Sequence, residues 1–270
     1  MTRKKDEGMR IIDIHTHIFP DRIAQKAARS VGKFYDMPAR CDGSLAGALR
    51  EMDRAGVGRF AVHSVATAPA QVASINAFLL GLRGEHPDRI LPFAAMHPDM
   101  PDLDRAVDEI VAQGFYGVKI HPDIQGFRVD DPRALALIGA VAGRLPMLIH
   151  AGDHRYDNSN PARIARVLDM FPSLTAILAH LGGWSEWEQA MESDLVGRRN
   201  VYVDTSSSLY AIKPARAAQI IRTFGADRVL FGTDYPMWTA TEELERFCAL
   251  DLTQDEREAI LYQNAEALFG

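Results

Sequence analysis

Residues 174–183 read LTAILAHLGG, and this stretch indicates the fold because an unbroken apolar run ends at a histidine and two glycines. A short apolar run of this kind occurs eight times along the chain, each time followed by a turn and a longer helical pattern. After the first gap, the runs recur at roughly 25–31 residues, the length of one βαβ unit. The eight runs are Arg10–His17, Arg59–Val65, Ile90–Met96, Gly117–His121, Pro146–His150, Leu174–His180, Asn200–Thr205 and Arg228–Thr233.

The segments between these runs have the apolar spacing of amphipathic helices. In Ser44–Ala55, apolar residues follow i, i+3/i+4 spacing behind a capping residue at Asp42 or Ser44. Proline stands in the first turn of two further segments, where a helix tolerates it. The other predicted helices are Leu103–Gln113, Asp131–Arg144, Pro161–Met170, Pro214–Phe224 and a closing helix, Asp255–Phe269.

Strands this apolar cannot face water, so eight of them alternating with helices predict a parallel sheet covered by helices. An open doubly wound sheet is the alternative. No glycine-rich phosphate motif follows the first strand, as a nucleotide-binding sheet of that type would be expected to show. The count of eight and the polar strand ends favour a closed (β/α)8 TIM barrel, formed by residues 1–270 as a single domain.

One segment departs from this pattern, because residues 19–41 are predicted as a long loop after the first strand. A loop of this length is more often functional than idle, and Tyr35 within it is a candidate substrate-binding residue. Part of the segment would then cover the barrel mouth. Alternatively, residues 21–31 form a short helix packed outside the barrel. Residues 1–9 are expected to be a flexible N-terminus.

Composition limits the functions open to the protein. The formal net charge of −6 gives no electrostatic case for nucleic acid or an anionic membrane as a partner. No apolar stretch approaches the ~20 residues that span a bilayer, and the first residues lack an apolar signal region. The two cysteines, Cys41 and Cys248, form no CxxC pattern. We therefore expect a cytoplasmic protein with a small-molecule substrate. A homo-oligomer is possible, although no sequence pattern identifies its interface.

Polar residues gather at one structural position, the C-terminal ends of the predicted strands. Barrel active sites form at this end, where residues scattered in sequence converge in space. His15 and His17 occupy positions i and i+2 of one strand, so both imidazoles point to the same face. The residues at this position are His15, His17, His121, His150, His180 and Asp234.

Imidazoles and a carboxylate without cysteine are typical of a catalytic metal site. Burying this many histidines without a common partner would leave many polar atoms unsatisfied. We therefore expect one divalent ion, with zinc as the first choice and manganese, iron or cobalt as alternatives. Such an ion can lower the pKa of bound water toward ~7 and polarise a carbonyl group.

Other residues are candidates for contact with substrate. Lys119 and His121 share a strand face by the same spacing rule. Lys119 would bind substrate, pair with a carboxylate or, if carbamylated, bridge a second metal ion. Trp184 and Tyr235 follow the sixth and eighth strands and are predicted to wall a pocket; ordinary packing between helix and barrel is the alternative.

Three further polar residues receive supporting roles. Asp13 lies one layer below His15 and is predicted to orient a ligand or a neighbouring side chain. His63 and His97 also fall at strand ends, but each stands alone and is predicted to be structural.

Five motifs together resemble the amidohydrolase superfamily: DIHTH at 13–17, VKIHP at 118–122, LIHAG at 148–152, LAHLGG at 178–183 and FGTDYP at 231–236. They are most similar to the amidohydrolase-related family, which includes aminocarboxymuconate-semialdehyde decarboxylase-like enzymes. The resemblance implies a one-metal site with His180 as the acid/base residue. The metal ligands that it implies are His15, His17, His150 and Asp234.

These observations predict a metal-dependent hydrolase that acts on a C–O or C–N bond of a small carbonyl compound, such as a lactone, amide or ester. The metal would activate water, with Asp234 or His180 carrying the proton. A non-oxidative decarboxylase of a small unsaturated or aromatic acid is the nearest alternative. A barrel that has lost catalysis and serves as a binding protein is a remote one.

Overall fold

The computed structural model describes residues 10–270, so the expectation of a flexible segment 1–9 lies outside the described residues. Eight parallel strands pair in sequence order, and the last approaches the first, since the Ile14 amide donates to the Phe231 carbonyl at 2.9 Å. The strands therefore form a nearly closed (β/α)8 barrel. They are β1 Ile12–His17, β2 Arg59–His63, β3 Ile90–Ala95, β4 Gly117–Ile120, β5 Met147–Ile149, β6 Ala176–Leu178, β7 Val201–Asp204 and β8 Val229–Leu230.

Helices surround the strands. Polar side chains begin several of them: Ser44 caps α2 by accepting from the Gly47 amide, and Asn160 caps α7 by accepting from Arg163. Among residues 10–270, no helix is long and apolar enough to cross a membrane. The helices are α1 Asp21–Phe34, α2 Leu45–Ala55, α3 Val72–Glu85, α4 Leu103–Ala112, α5 Pro122–Gln125, α6 Pro132–Val141, α7 Pro161–Met170, α8 Trp187–Glu192, α9 Pro214–Phe224, α10 Ala240–Cys248, α11 Gln254–Glu258 and α12 Asn264–Phe269.

The prediction of a long loop over residues 19–41 is wrong, because Asp21–Phe34 is a helix of 14 residues. Its buried residues are Ala24, Ala28 and Gly32, small side chains at i, i+4 spacing that let a helix lie close to the barrel. The alternative prediction, a short helix over residues 21–31, is closer to the structure, but the helix continues to Phe34. Its later turns also line a cavity at the barrel mouth, so it is more than outside packing.

The barrel interior is apolar below the strand ends. Inward-facing side chains alternate with outward ones along each strand, as Leu148 of β5 shows between two residues that pack under the helices. Continuing the alternation by two residues brings His150 to the mouth. The inward apolar layer consists of Ile12, Ile14, Ala61, Leu91, Phe93, Leu148, Ile177, Ala179 and Leu230.

Strand β1 contains an irregularity that redirects its side chains. Ile12 and Ile14 belong to the interior layer, so a regular strand would turn His15 and His17 outward. The register of β1 against β2 shifts between Asp13 and Thr16, which reverses the inward face at that point. Both imidazoles therefore point into the barrel mouth.

Gly152, directly after β5, offers a test of how tightly the strand-end loops pack. It has φ +75°, and a Cβ there would lie 2.6 Å from the Gly183 carbonyl carbon and 2.7 Å from the Trp184 nitrogen. Gly56 has almost the same backbone, φ +73°, with nothing within 4 Å of its Cβ position. We expect Gly56→Ala to lower the free energy of unfolding by about 1–2 kcal/mol, the left-handed backbone penalty alone. Gly152→Ala should lose an additional ~1–3 kcal/mol through steric overlap.

Urea unfolding of the two variants beside the parent protein measures both losses. Equal losses would show that the loops after β5 and β6 can move apart freely, which contradicts the tight packing described here.

Candidate active site

Three histidines from the first two strands form a buried cluster at the barrel mouth. His17 of β1 pairs in register with His63 of β2, and side chains in register on neighbouring parallel strands point to the same side. The ring centroids of His15, His17 and His63 are separated by 4.3 to 5.3 Å. The prediction that His63 stands alone is therefore wrong, and we call these three residues the imidazole cluster.

Asp234 completes this group from the segment after β8. Its Oδ1 lies 3.4 Å from the Nε2 atoms of both His15 and His17. That distance is longer than a good hydrogen bond, but it is close to the ~3.3 Å between two ligand atoms that share a tetrahedral ion. The Ser207 hydroxyl donates to the other carboxylate oxygen of Asp234, and the Trp238 indole donates to Ser207 at 2.9 Å. These hydrogen bonds fix the position of the Asp234 carboxylate.

His150 and His180 form a second pair beside the imidazole cluster. His180 Nδ1 faces the Ser206 carbonyl at 2.9 Å, so it carries the proton when the ring is neutral. Its Nε2 is then the acceptor, and His150 Nδ1 donates to it at 3.0 Å. The other nitrogen of His150 has no hydrogen-bond partner among the described residues and lies 3.5 Å from a carboxylate oxygen of Asp123. Transfer of the His150 proton to this nitrogen would free Nδ1 to bind an ion.

The protonation state suits metal binding. Burial lowers the pKa of His15, His17 and His150, which keeps these imidazoles neutral at physiological pH. Burial alone would raise the pKa of Asp234, but its contact with His17 and the nearby imidazoles outweigh that effect and hold the pKa well below its usual value. Neutral imidazoles and an ionised carboxylate are the forms that coordinate a divalent cation.

Asp204, at the end of β7, was missed by sequence reasoning. Its Oδ2 accepts from His15 Nδ1 at 2.8 Å, which leaves His15 Nε2 unprotonated toward Asp234. Its Oδ1 accepts from the backbone amides of His180 at 3.1 Å and Ser206 at 3.0 Å. A carboxylate behind a metal-binding histidine typically fixes the orientation of the ring. The signal was the polar run VDTSSS at 203–208, a seventh strand end with an acidic residue.

Asp13 has the supporting position that the sequence suggested. One of its carboxylate oxygens accepts from the His15 amide at 2.9 Å and from the Thr233 amide at 3.1 Å. The other accepts from the Thr233 hydroxyl at 2.6 Å. Asp13 thus joins β1 to the segment that carries Asp234, and burial raises the pKa of its carboxyl to about 7.

A cavity of about 260 Å³ opens onto these residues. The inner face of α1 forms one wall, and Tyr35 at its end approaches His121 with 2.7 Å between the hydroxyl and Nε2. Trp184 packs edge-on to Tyr35 and borders a smaller adjoining space. The lining residues of the main cavity are His17, Phe19, Ala27, Ser30, Val31, Phe34, Tyr35, Val65, Thr67, His121, Ile124, His150, His180 and Asp234.

Two of the predicted substrate-binding residues do not line the cavity. The hydroxyl of Tyr235 lies 3.0 Å from Asp42 Oδ1 and 3.0 Å from the Ser44 carbonyl, which share its one hydrogen, because its side chain points outward to the start of α2. Tyr235 therefore anchors the segment before α2. Lys119 is buried at the site itself, with Nζ 3.3 Å from His15 Nε2, and burial lowers the pKa of its amine to about 8.

The family model for amidohydrolases matches residues 12–270, so the chain belongs to the amidohydrolase family. It is therefore a metal-dependent enzyme of the amidohydrolase superfamily, and its site offers the histidine and aspartate clusters that a divalent ion needs. A search of curated proteins finds no match.

Solved structures share the whole fold. An uncharacterized TIM-barrel protein from Bordetella bronchiseptica is 26% identical with a TM-score of 0.78, covering 96% of this chain and 98% of that one. A 2,6-dihydroxybenzoate decarboxylase from Rhizobium is 19% identical with a TM-score of 0.73, covering 97% and 99%. A dihydroxybenzoic acid decarboxylase from a Polaromonas species, solved with manganese and the inhibitor 2-nitroresorcinol, is 18% identical with a TM-score of 0.72, covering 96% of each chain.

The position of His17 predicts that it holds metal. His17→Ala removes an imidazole beside the Asp234 carboxylate. Because loss of even an outer-sphere partner lowers metal affinity by ~10–100-fold, we expect the purified variant to retain less than about a tenth of the metal of the parent. His97→Ala is the matched control, because His97 is also a buried strand-end histidine but contacts the Asp99 amide and lies outside the site. Elemental analysis of both variants measures the difference. Full metal content in His17→Ala would remove His17 from the ligand set.

Proposed function

We propose that this enzyme hydrolyses a C–O or C–N bond in a small carbonyl compound, such as a lactone, amide or ester. The observation that carries the proposal is the charge of the cavity wall. Among residues 10–270, neither lysine nor arginine lines the main cavity, whereas histidines and a carboxylate form its polar end. Apart from the proposed ion and Lys119, whose Nζ reaches His15 Nε2 at 3.3 Å, such a wall offers no cation to pair with a free carboxylate, which suits an uncharged carbonyl substrate.

Arg155 contacts the aromatic wall of the cavity without lining it. Its guanidinium group is paired with the buried carboxylate of Asp153 at 2.7 Å and donates to the Phe34 carbonyl at 2.7 Å. It lies 5.1 and 5.3 Å from the ring centres of Phe34 and Tyr35. Its hydrogen bonds are therefore made to protein groups and help to fix the wall in place.

We propose that His15, His17 and Asp234 hold a divalent ion, with His150 as the fourth ligand. When bound, the ion would supply a Lewis acid that polarises the carbonyl group and lowers the pKa of water. The donor set suits zinc, which the sequence favours, and equally manganese, which the similar Polaromonas structure contains.

His180 is the proposed proton carrier. Its Nδ1 is fixed on the Ser206 carbonyl, so Nε2 carries the lone pair, which faces His150 Nδ1 at 3.0 Å. Once His150 Nδ1 binds the ion, this lone pair would be available to accept a proton and return it to the leaving group. Asp204 accepts from the backbone amide of the same residue, which fixes the backbone from which the ring projects. Asp234, with Oδ1 3.4 Å from the Nε2 atoms of His15 and His17, is a second acceptor.

Decarboxylation of a small aromatic or unsaturated acid is the second candidate. The rings of Phe34 and Tyr35 line the cavity edge to face, and His121 stacks on His150 with ring centres 3.8 Å apart. These surfaces would accept a planar ring. The similar structures from Rhizobium and Polaromonas are decarboxylases of dihydroxybenzoic acids, which supports this alternative at the level of the fold.

Product analysis separates the two candidates. The metal-loaded enzyme is incubated with a panel of lactones, cyclic amides, esters and hydroxylated aromatic acids, and each reaction is followed by mass spectrometry and carbon dioxide detection. We expect turnover of a lactone, amide or ester with a mass gain of one water and no carbon dioxide. Release of carbon dioxide from an aromatic acid, without turnover of the carbonyl panel, would replace hydrolysis by decarboxylation.

His180→Ala should separate proton transfer from metal binding. We expect kcat to fall by about 10²–10⁴-fold, the usual contribution of a general acid–base residue, while metal content stays near that of the parent. The measurements are steady-state kinetics on the substrate found in the panel and elemental analysis of the same preparation. If His180→Ala loses its metal and His150→Ala keeps it, the two histidines have exchanged roles.

A further inference from the structure

His63 is a buried histidine whose ring has no hydrogen-bond partner. It is the last residue of β2, its exposed fraction is 0%, and neither Nδ1 nor Nε2 is paired with any atom of the described residues. A neutral imidazole always carries one N–H donor and one lone-pair acceptor. Leaving both unpaired away from water is costly, and buried polar groups in proteins are rarely left in this state.

Two of the histidines proposed as metal ligands lie against this ring. His63 lies edge-on to His17 with 4.3 Å between ring centres, and 4.9 Å from the ring of His15. The three residues place one ring nitrogen each within 4.8 Å of one another. A structural histidine of the core would instead be paired with a carbonyl or hydroxyl group, as buried Asn76 is paired with the backbone of Ala95.

We propose that His63 is a ligand of the metal centre, binding the same ion as His15 and His17. An ion among the three imidazoles would take up one nitrogen of His63 and give the cluster the common partner that it lacks. The register of β1 and β2 supports this arrangement, because His17 and His63 are direct neighbours on the inward face of the sheet. The inference rests on the metal centre of the proposed function, but it is independent of which reaction the enzyme performs.

His63→Leu provides the test, because leucine has a similar size and no polar atom. The apo and metal-loaded forms of the parent and the variant are compared by thermal unfolding. If His63 is a ligand, the apo variant should melt at the same temperature as the apo parent or higher, since an unpaired imidazole has been removed. The rise in melting temperature on adding Zn²⁺ or Mn²⁺ should shrink, because it depends on metal affinity.

Chelator competition then measures the affinity directly. We expect the Kd for Zn²⁺ to rise by more than about 100-fold in His63→Leu and in a second variant, His63→Asn. That exceeds the ~10–100-fold effect of groups that only orient a ligand. His97→Leu is the matched control, because it makes the same substitution at a buried strand-end histidine outside the site. It should leave the Kd for Zn²⁺ unchanged.

Two outcomes would overturn the proposal. One is an unchanged Kd in His63→Asn, which shows that the metal does not need this ring. The other is a lower melting temperature of apo His63→Leu with an unchanged metal-induced rise, as a purely structural histidine predicts. Cobalt substitution distinguishes a ligand from a positioning residue, since loss of a ligand changes the visible absorption of bound Co²⁺. None of these readouts uses turnover, so absence of hydrolysis would leave them valid.

Discussion

The constraint on which this structure depends is the closure of eight parallel strands. Closure places every strand's C-terminal end on one rim, so polar residues at the ends of different strands become neighbours. His15 of β1 thus contacts Asp204 of β7, 189 residues away in sequence, and Asp234 after β8. The apolar layer beneath, which includes Phe93 and Leu148, fills the barrel and leaves the rim as the level where polar groups can meet. The chemistry of the site follows from what is gathered there, neutral imidazoles and one ionised carboxylate.

Most of the architecture could be predicted from the sequence because its signals are local. Each predicted run contains an observed strand, and the bounds of α7 and α9, which both begin with proline, agree with the prediction. The prediction for segment 19–41 failed because its length and its turn-formers, Gly32 and Asp36, were given more weight than its helical period. Ala24, Ala28 and Gly32 recur every four residues, and the helix Asp21–Phe34 is strongly amphipathic. The close approach of these small residues to the barrel is the part that the sequence alone did not show.

The residues of the candidate site were predictable where a histidine or aspartate ends a strand. They were less predictable where the role of a residue depends on which side chain from another segment it contacts. His15 and His17 do share the inward face, but through a bulge that no spacing rule reveals. Tyr235 follows Asp234 directly and yet points the other way, toward Asp42. His63 looked isolated because its neighbours belong to a different strand. These differences arise from contacts between segments that are distant in sequence, which a single sequence does not show directly.

The carboxylate of Asp204 supports two different residues of the site at the same time. Its two oxygens serve two different tasks, one orienting the ring of His15 and the other holding the backbone at His180. The proposed metal ligand His15 and the proposed proton carrier His180 are thus positioned by the same buried group. Variation during evolution at the end of β7 would alter affinity and turnover together. Changes in specificity are therefore easier to make on the opposite wall, where α1 borders the cavity and carries no part of this shared support.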